Sequence, residues 1–230
     1  ASDSLSSAAA QNFGQFRFAK GEALASFANR YVVYQEGIYV GYKYYETRYE
    51  DVILGQGNAA GSAGVFASKD GAWNYADEIR YPLGYGLSYT SFTQELNAVD
   101  YDAASDTFTA KVTVTNTGNK PGKTPVELYV QTPYTDYDRE HGVEKAAIQL
   151  VGFGKTGELA AGTSETVTIT FSRYLFASYD VTAHDGKGGY ILDAGDYLFA
   201  VGSDVHDALN NILAYKGATG LLDQDGNAVP

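Results

Sequence analysis

A mainly β fold, an antiparallel β-sandwich with an irregular N-terminal extension, is predicted by three features of the sequence. Short segments of alternating apolar and polar residues recur between positions 91 and 217, at roughly the 8–12-residue spacing typical of sandwiches. Gly, Pro, Asn and Asp residues separate these segments and favour turns. No connection between them is long enough for the crossover helix that parallel strands need.

The clearest strand is "TFTAKVTVTN", in which Phe108, Ala110, Val112 and Val114 face one way and polar residues face the other. Six further strands and one edge strand are predicted by the same pattern or by β-rich composition. They are 91–102, 124–134, 147–156, 165–172, 190–195, 196–203 and the edge strand 211–217. The charged segment 135–145 is predicted as a loop. Because no Cys–Trp–Cys pattern is present, we expect a fibronectin type III or immunoglobulin-like sandwich that is not of the antibody type.

The region before the sandwich has a different character. Residues 31–45, "YVVYQEGIYVGYKYY", are aromatic and β-branched, which favours a strand. Residues 50–72 are rich in Gly and Ala and predict a long loop, a feature that is often functional when it is ordered. The final residues, 218–230, are predicted as a linker or tail.

Composition and charge exclude several classes of partner. The net charge of -12 and the pI near 4.5 argue against nucleic acid, because phosphate binding needs clustered Lys and Arg. No basic amphipathic stretch or long apolar run predicts membrane binding. The chain has no cysteine, so disulfides and thiolate chemistry are excluded. No intact signal peptide is present, and the compartment, cytoplasmic or secreted, stays open.

Seven collinear segments carry a resemblance to a known family. They are "EGIYVGYKYYET" (36–47), "YPLGYGLSYTSF" (81–92), "VTNTGNKPGKTPVELYV" (114–130), "EKAAIQLVGFGKT" (144–156), "AAGTSETVTITF" (160–171), "ASYD" (177–180) and "LDAGDYLFAVGSD" (192–204). In this order and spacing they resemble glycoside hydrolase family 3, the β-glucosidase-like enzymes. Family members carry a barrel domain, an α/β sandwich domain and often a fibronectin type III-like domain.

The resemblance implies a position within a larger enzyme. Residues 1–49 would be the terminal segment of the α/β sandwich domain, and 50–90 an inserted loop and linker. Residues 91–217 would be the fibronectin type III-like β-sandwich, followed by the linker or tail 218–230. The barrel and the rest of the α/β sandwich domain would then be the main partners of this chain. Exposed docking surface could also support a homodimer.

The resemblance also implies that this chain holds no catalytic residue. The family's nucleophile is an aspartate, commonly in a Ser-Asp-Trp-like context, and no Asp-Trp pair exists here. The acid/base carboxylate usually lies earlier in the α/β sandwich domain. Retaining hydrolysis needs two carboxyl groups about 5–5.5 Å apart, so we expect the chain alone to be inactive. The parent enzyme would hydrolyse terminal β-linked glucosyl or related residues without a cofactor.

Four residues are candidates for substrate binding in the parent enzyme: Trp73, Tyr75, Glu36 and Tyr44. The rings could stack on a sugar, and Glu36, like Glu46, could contact the substrate or support a catalytic group. The alternatives are that Trp73 fills a gap between the loop and the sandwich, and that the carboxylates pair with nearby basic groups.

Two clusters of His and Asp do not have the spacing of metal sites. His184 lies near Asp180 and Asp185, and His206 lies between Asp204 and Asp207. Zinc sites have tighter His or Cys sets, and calcium loops have ordered Asp, Asn and Gly spacing. We therefore predict no metal.

Two functions remain open from the sequence. The first is a non-catalytic accessory part of a family 3 hydrolase, which braces the catalytic domains and shapes the substrate entrance. The alternative is a free-standing β-sandwich module that binds carbohydrate or protein. A barrel encoded on the same chain would favour the first.

Overall fold

The computed structural model describes residues 37–229. The helices and strands follow in chain order. They are α1 Tyr42–Ile53, a 3-10 turn Lys69–Gly71, α2 Tyr75–Glu78, β1 Phe92–Asp102, β2 Thr107–Asn116, β3 Pro125–Gln131, α3 Asp136–His141, β4 Gln149–Lys155, β5 Ser164–Phe171, a 3-10 turn Arg173–Phe176, β6 Ser178–Asp180, an interrupted helical turn Ala183–Gly186, β7 Gly189–Ile191, β8 Leu198–Ala200 and α4 Val205–Tyr215.

Two three-stranded sheets form the sandwich. One has the order β1–β2–β5 and the other has the order β4–β3–β8, and every pairing is antiparallel. The inward residues of β2, Ala110, Val112 and Val114, are fully buried, as their alternation with polar residues predicts. The predicted antiparallel sandwich is therefore confirmed. A separate hairpin of β6 and β7 lies outside these sheets.

The two sheets approach closely where β4 faces β5. A Cβ atom on Gly152 would lie 2.5 Å from Ile169 Cγ2, and one on Gly154 would lie 2.6 Å from Val167 Cγ1. These distances leave no room for a side chain at either position. The glycines of "GFG" therefore allow the branched side chains of β5 to fill the space over β4.

A second core, which we call the junction cluster, joins the sandwich to the segments on either side of it in the chain. It contains aromatic and aliphatic side chains from α1, the long loop, β3, α4 and the tail. The buried members are Tyr49, Trp73, Tyr75, Tyr129, Ala147, Ile148, Ala200, Val205, Ala208, Leu209, Ile212, Leu213 and Leu221. The irregular N-terminal region and the sandwich thus share one continuous apolar core.

The strand predicted over 31–45 is wrong where it can be compared, because Tyr42–Tyr45 begin helix α1. Residues 31–36 lie outside the described residues. Tyr42, Tyr45 and Tyr49 are spaced three and four residues apart, so they share one helical face and pack at the junction cluster. The aromatic composition indicated a strand, but the helical spacing decided the structure.

The edge strand predicted over 211–217 is also wrong, because α4 covers Val205–Tyr215. The Asp204 side chain caps this helix by accepting a hydrogen bond from the Asp207 N–H at 2.9 Å. Leu209, Ile212 and Leu213 then fall on one buried face at helical spacing.

The segment 135–145, predicted as a charged loop, contains the short helix α3. Thr135 and Asp138 form a capping box at its start, and Gly142, with φ 68°, ends it. The loop predicted over 50–72 begins later than expected, because α1 continues to Ile53. From residue 54 onward it is irregular except for the turn Lys69–Gly71, as predicted.

The C-terminal residues pack onto the fold, which differs from the expectation of a linker. Leu221 is buried in the junction cluster, and Leu222 forms an isolated antiparallel bridge with Ala228. Within residues 37–229, no helix is both long and apolar enough to cross a bilayer.

Candidate functional site

A buried polar network lies inside the junction cluster, with Glu46 of α1 at its centre. Glu46 is 1% exposed, and its Oε1 atom accepts a hydrogen bond from the hydroxyl of Tyr75. Its Oε2 atom lies 2.8 Å from Nδ1 of His206 on α4. A buried carboxylate is costly unless it is paired and hydrogen-bonded, and both of its oxygens are satisfied here.

His206 links this carboxylate to the C-terminal tail. Its Nε2 atom lies 3.0 Å from the carbonyl oxygen of Leu222, so Nε2 must carry a proton and donate it. The imidazole ring stacks on Tyr75, with centroids 3.9 Å apart and planes inclined by 19°. His206 is thus a structural link in a buried network.

Tyr49 and Asn210 complete the attachment of the tail. The Tyr49 hydroxyl donates to Oδ1 of Asn210 at 2.9 Å and accepts from the N–H of Leu222 at 2.8 Å. The Asn210 Nδ2 atom donates to the Leu222 carbonyl at 2.8 Å. Both backbone groups of Leu222 are therefore held by side chains from α1 and α4.

Burial raises the pKa of both tyrosines in this network, Tyr75 and Tyr49. The negative charge of Glu46 raises the pKa of Tyr75 further. Both phenols therefore act as neutral hydrogen-bond donors, and neither has the lowered pKa of an activated acid or nucleophile.

Arg48 of α1 anchors the first half of the long loop. Its guanidinium group donates to the carbonyls of three alternate residues of the loop, each at 2.8 Å. These carbonyls belong to Ala59, Gly61 and Ala63. Nη1 also donates to the Tyr44 hydroxyl at 2.9 Å, and the guanidinium lies 4.9 Å from the ring centroid of Trp73. Hydrogen bonds from a charged donor are strong, so this buried cation fixes the loop to the helix.

Glu78 of α2 anchors the second half. Its carboxylate accepts from the Ser68 hydroxyl at 2.6 Å and from the N–H groups of Ser68, Ala67 and Phe66 at 2.8, 3.0 and 3.1 Å. Burial alone would raise the pKa of Glu78, but these hydrogen bonds lower it below its ordinary value. The ionised carboxylate therefore acts as a clamp on the backbone.

Phe66 lies between the two anchors, and its side chain is 77% exposed. Single exposed apolar residues are common, and Phe66 differs from the others in that the backbone on both sides of it is held by side chains. Sequence reasoning missed this residue. The available signal was one aromatic residue, next to Val65, in a segment that is otherwise rich in Gly, Ala and Ser.

The structure brings two of the predicted substrate-binding residues together. Trp73 and Tyr75 form an edge-to-face pair at 6.1 Å, and both are buried at 5% exposure within this chain. Tyr44 is half-buried beside Tyr45 and is held by Arg48. Glu36 lies outside the described residues. The substrate-binding role of these four residues stays a prediction.

Neither His-centred cluster has the geometry of a metal site. His206 faces Glu46, while Asp204 caps α4. Among residues 37–229, no group of three or more His, Cys, Asp or Glu side chains is arranged to hold a metal ion.

A surface cleft lies where the segment 84–90 crosses the edge of the sandwich. Its volume is about 510 Å³, and its lining includes Leu87, Phe92, Lys123 and Asn211. Leu87 and Tyr89 of this segment are almost fully exposed. The segment therefore presents apolar side chains that no other part of residues 37–229 covers.

Comparisons with known proteins agree with this fold. A family model described as "Fibronectin type III-like domain" matches residues 124–205. β-Glucosidase A of Butyrivibrio fibrisolvens is 35% identical over 191 residues, which covers 77% of this chain and 19% of that protein. The chain therefore spans about a fifth of the length of this relative.

Solved structures give the same result. A β-glucosidase from Paenibacillus barengoltzii matches with a TM-score of 0.56 and 34% identity, over 76% of this chain and 16% of that one. A Bifidobacterium adolescentis GH3 β-glucosidase matches with a TM-score of 0.52 and 26% identity, over 80% and 22% of the two chains.

The sandwich of this chain is thus a fibronectin type III-like domain. The chain belongs to glycoside hydrolase family 3 as a segment that carries this domain, and the relatives that it matches are named as β-glucosidases.

Proposed function

We propose that this chain is a non-catalytic accessory portion of a family 3 glycoside hydrolase that removes terminal β-linked glucosyl or related residues. The names of the relatives support the reaction, and the small share of their length that the chain spans supports an accessory role. Residues 1–49 would end the α/β sandwich domain, 50–90 would be the inserted loop and linker, and 91–217 and 218–230 would be the fibronectin type III-like domain and its tail.

The single observation that carries this proposal is the shared core of the junction cluster. It contains Tyr49 of α1, Trp73 of the loop, Tyr129 of β3 and Leu213 of α4. If α1 belongs to the α/β sandwich domain, that domain is packed directly onto the fibronectin type III-like domain. Because a close-packed interior deforms little, the fibronectin type III-like domain would hold the α/β sandwich domain in a fixed position.

The anchored loop supports a second role, at the substrate entrance. Arg48 holds 59–63 and Glu78 holds 66–68, so Phe66 is presented on a fixed backbone. A rigid exposed aromatic ring suits contact with a sugar unit beyond the one that is cleaved. This loop is held in place in part by Trp73, Tyr75 and Tyr44. These residues would therefore contribute to substrate binding indirectly, by positioning the loop.

The exposed segment 84–90 supports contact with the rest of the parent enzyme. Leu87 and Tyr89 would pack against the barrel or the α/β sandwich domain, because exposed apolar side chains of this size usually mark an interface.

Phe66→Ala in the full-length parent enzyme tests the entrance role. We expect the KM for an oligomeric β-glucan to rise about threefold to tenfold, while kcat and the KM for a small aryl β-glucoside stay unchanged. Phe153→Ala is a matched control, because Phe153 is 76% exposed on β4 and has the same side chain. Unchanged kinetics of the Phe66 variant on both substrates would remove the entrance role and leave the bracing role standing.

A further inference from the structure

Three exposed tyrosines lie together at the β6–β7 hairpin: Tyr179 and Tyr190 belong to the hairpin, and Tyr174 belongs to the 3-10 turn before it. We call them the hairpin tyrosines. They are 59%, 53% and 54% exposed. The ring of Tyr190 lies 4.7 Å from that of Tyr174 and 5.3 Å from that of Tyr179, measured between centroids. The three rings therefore form one continuous aromatic surface with Tyr190 at its centre.

The backbone of the hairpin is shaped around these rings. Tyr179 and Tyr190 are directly paired across the strands. Gly188 has a positive φ of 75°, and a Cβ atom there would lie 2.3 Å from the Tyr179 hydroxyl, so glycine lets this ring lie close over the turn. In the turn, His184 and Asp185 both have positive φ, at 54° and 59°. Asp and His occur in this left-handed region more often than most residues, and here they form the turn of the hairpin.

Two charged groups beside the aromatic surface, Asp180 and Arg173, are engaged elsewhere. Asp180 is buried and accepts hydrogen bonds from the hydroxyls of Tyr137 and Thr182. Arg173 pairs with Asp106 at 2.9 Å. The surface itself therefore offers apolar ring faces and neutral hydroxyl groups.

The chemistry of this surface selects a class of ligand. The apolar faces of sugar rings fit aromatic faces, and phenol hydroxyls can exchange hydrogen bonds with sugar hydroxyls. The net charge of -12 disfavours polyanions such as nucleic acid or acidic glycans. A neutral glycan fits both properties.

We propose that the hairpin tyrosines bind a neutral β-linked glucan chain, at a site separate from the anchored loop and its Phe66. The choice of glucan rests on the proposed function, because it takes the substrate class of the parent enzyme. The site would hold the polymer while the parent enzyme acts on its ends.

Electrophoresis of this chain through native gels that contain a soluble mixed-linkage β-glucan tests the proposal. We expect the glucan to retard the wild-type chain, and Tyr190→Ala to weaken the affinity about tenfold or more, since it removes the ring that contacts both of the others. Tyr215→Ala is the matched control, because Tyr215 is an exposed tyrosine at the end of α4. It should be retarded like the wild type. Circular dichroism confirms that each variant is folded.

Three results would overturn the proposal: no retardation of the wild-type chain, equal retardation of Tyr190→Ala, or retardation of this chain but not of the full-length protein. The last result would mean that another domain covers the hairpin tyrosines. A dimer in sedimentation that Tyr190→Ala dissociates, without glucan binding, would assign the surface to a second copy instead.

Hydrolysis by the full-length protein is measured in parallel. Retardation without hydrolysis contradicts only the proposed function, and hydrolysis without retardation contradicts only this glucan site.

Discussion

His206 and Glu46 meet in the interior of the junction cluster, with Nδ1 2.8 Å from Oε2, although 160 positions separate them in the sequence. Both side chains are at most 2% exposed. This contact joins the helix that precedes the sandwich to the helix that follows it. The stability of the whole junction should therefore depend on it.

Glu46→Gln should lower the free energy of unfolding by about 3 kcal/mol. The amide keeps the size of the side chain but removes the charge that His206 and Tyr75 face, and an uncompensated buried group is costly. Urea denaturation at pH 7 measures the change. Glu158→Gln, at an exposed glutamate, should change the value by less than about 0.5 kcal/mol. A Glu46 variant as stable as this control would show that the network contributes nothing to the junction.

Arg48→Ala should release the loop, since it removes the donors to three loop carbonyls. We expect a loss of about 2–4 kcal/mol in stability and faster hydrogen exchange over 59–68. Arg80→Ala serves as the comparison, because Arg80 is an exposed arginine close to the same loop in the chain. If exchange over 59–68 is as slow in the Arg48 variant as in wild type, the anchor is not needed.

Glu78 should make the loop sensitive to acid. Its pKa in the folded chain lies below the ordinary 4.5, so the unfolded chain takes up the proton first as the pH falls. The stabilisation is complete above a pH of about 4.5 and is lost as the pH falls through the folded pKa. The difference in stability between wild type and Glu78→Gln should therefore be largest near pH 7 and shrink below about pH 4. A difference that stays constant from pH 7 to pH 3 would argue against the clamp.

Asp51 should give the stability of the chain the opposite pH dependence. Burial, followed by the neighbouring Glu50 carboxylate, raises its pKa to about 6. The folded chain then holds this proton more tightly than the unfolded chain, so stability falls as the pH rises from about 4 to about 6. Asp51→Asn should stabilise the chain by about 1 kcal/mol at pH 7, after allowance for solvent screening, and by nothing at pH 4. Thermal unfolding at both values tests this, with Asp77→Asn at an exposed site as the control. A gain that is equal at both pH values would contradict it.

The sequence predicted the sandwich well because its signals are local. Alternation in "TFTAKVTVTN" and "ETVTITFS" places residues such as Val112 and Ile169 in the core without any knowledge of their partners. The same approach failed for α1, where tyrosines suggested a strand although their spacing is helical. It also missed α4, where the spacing of Leu209, Ile212 and Leu213 was available but was not used.

The candidate site was less predictable because its contacts are not local. Glu46 finds Tyr75 and His206 only after the loop and α4 have packed onto α1. Likewise, Phe66 is exposed because Arg48 and Glu78 hold the backbone around it. Residue type alone suggested Trp73 and Tyr75 as substrate-binding residues, but the fold buries both side chains.

Hydrolysis of an aryl β-glucoside, measured for this chain alone and for the full-length protein in which the sequence occurs, distinguishes an accessory segment from a complete enzyme. We expect no turnover above background by the isolated folded chain and clear turnover by the full-length protein, because the two carboxylates of the reaction would lie in other domains. Turnover by the isolated chain, or none by the full-length protein, would contradict this expectation.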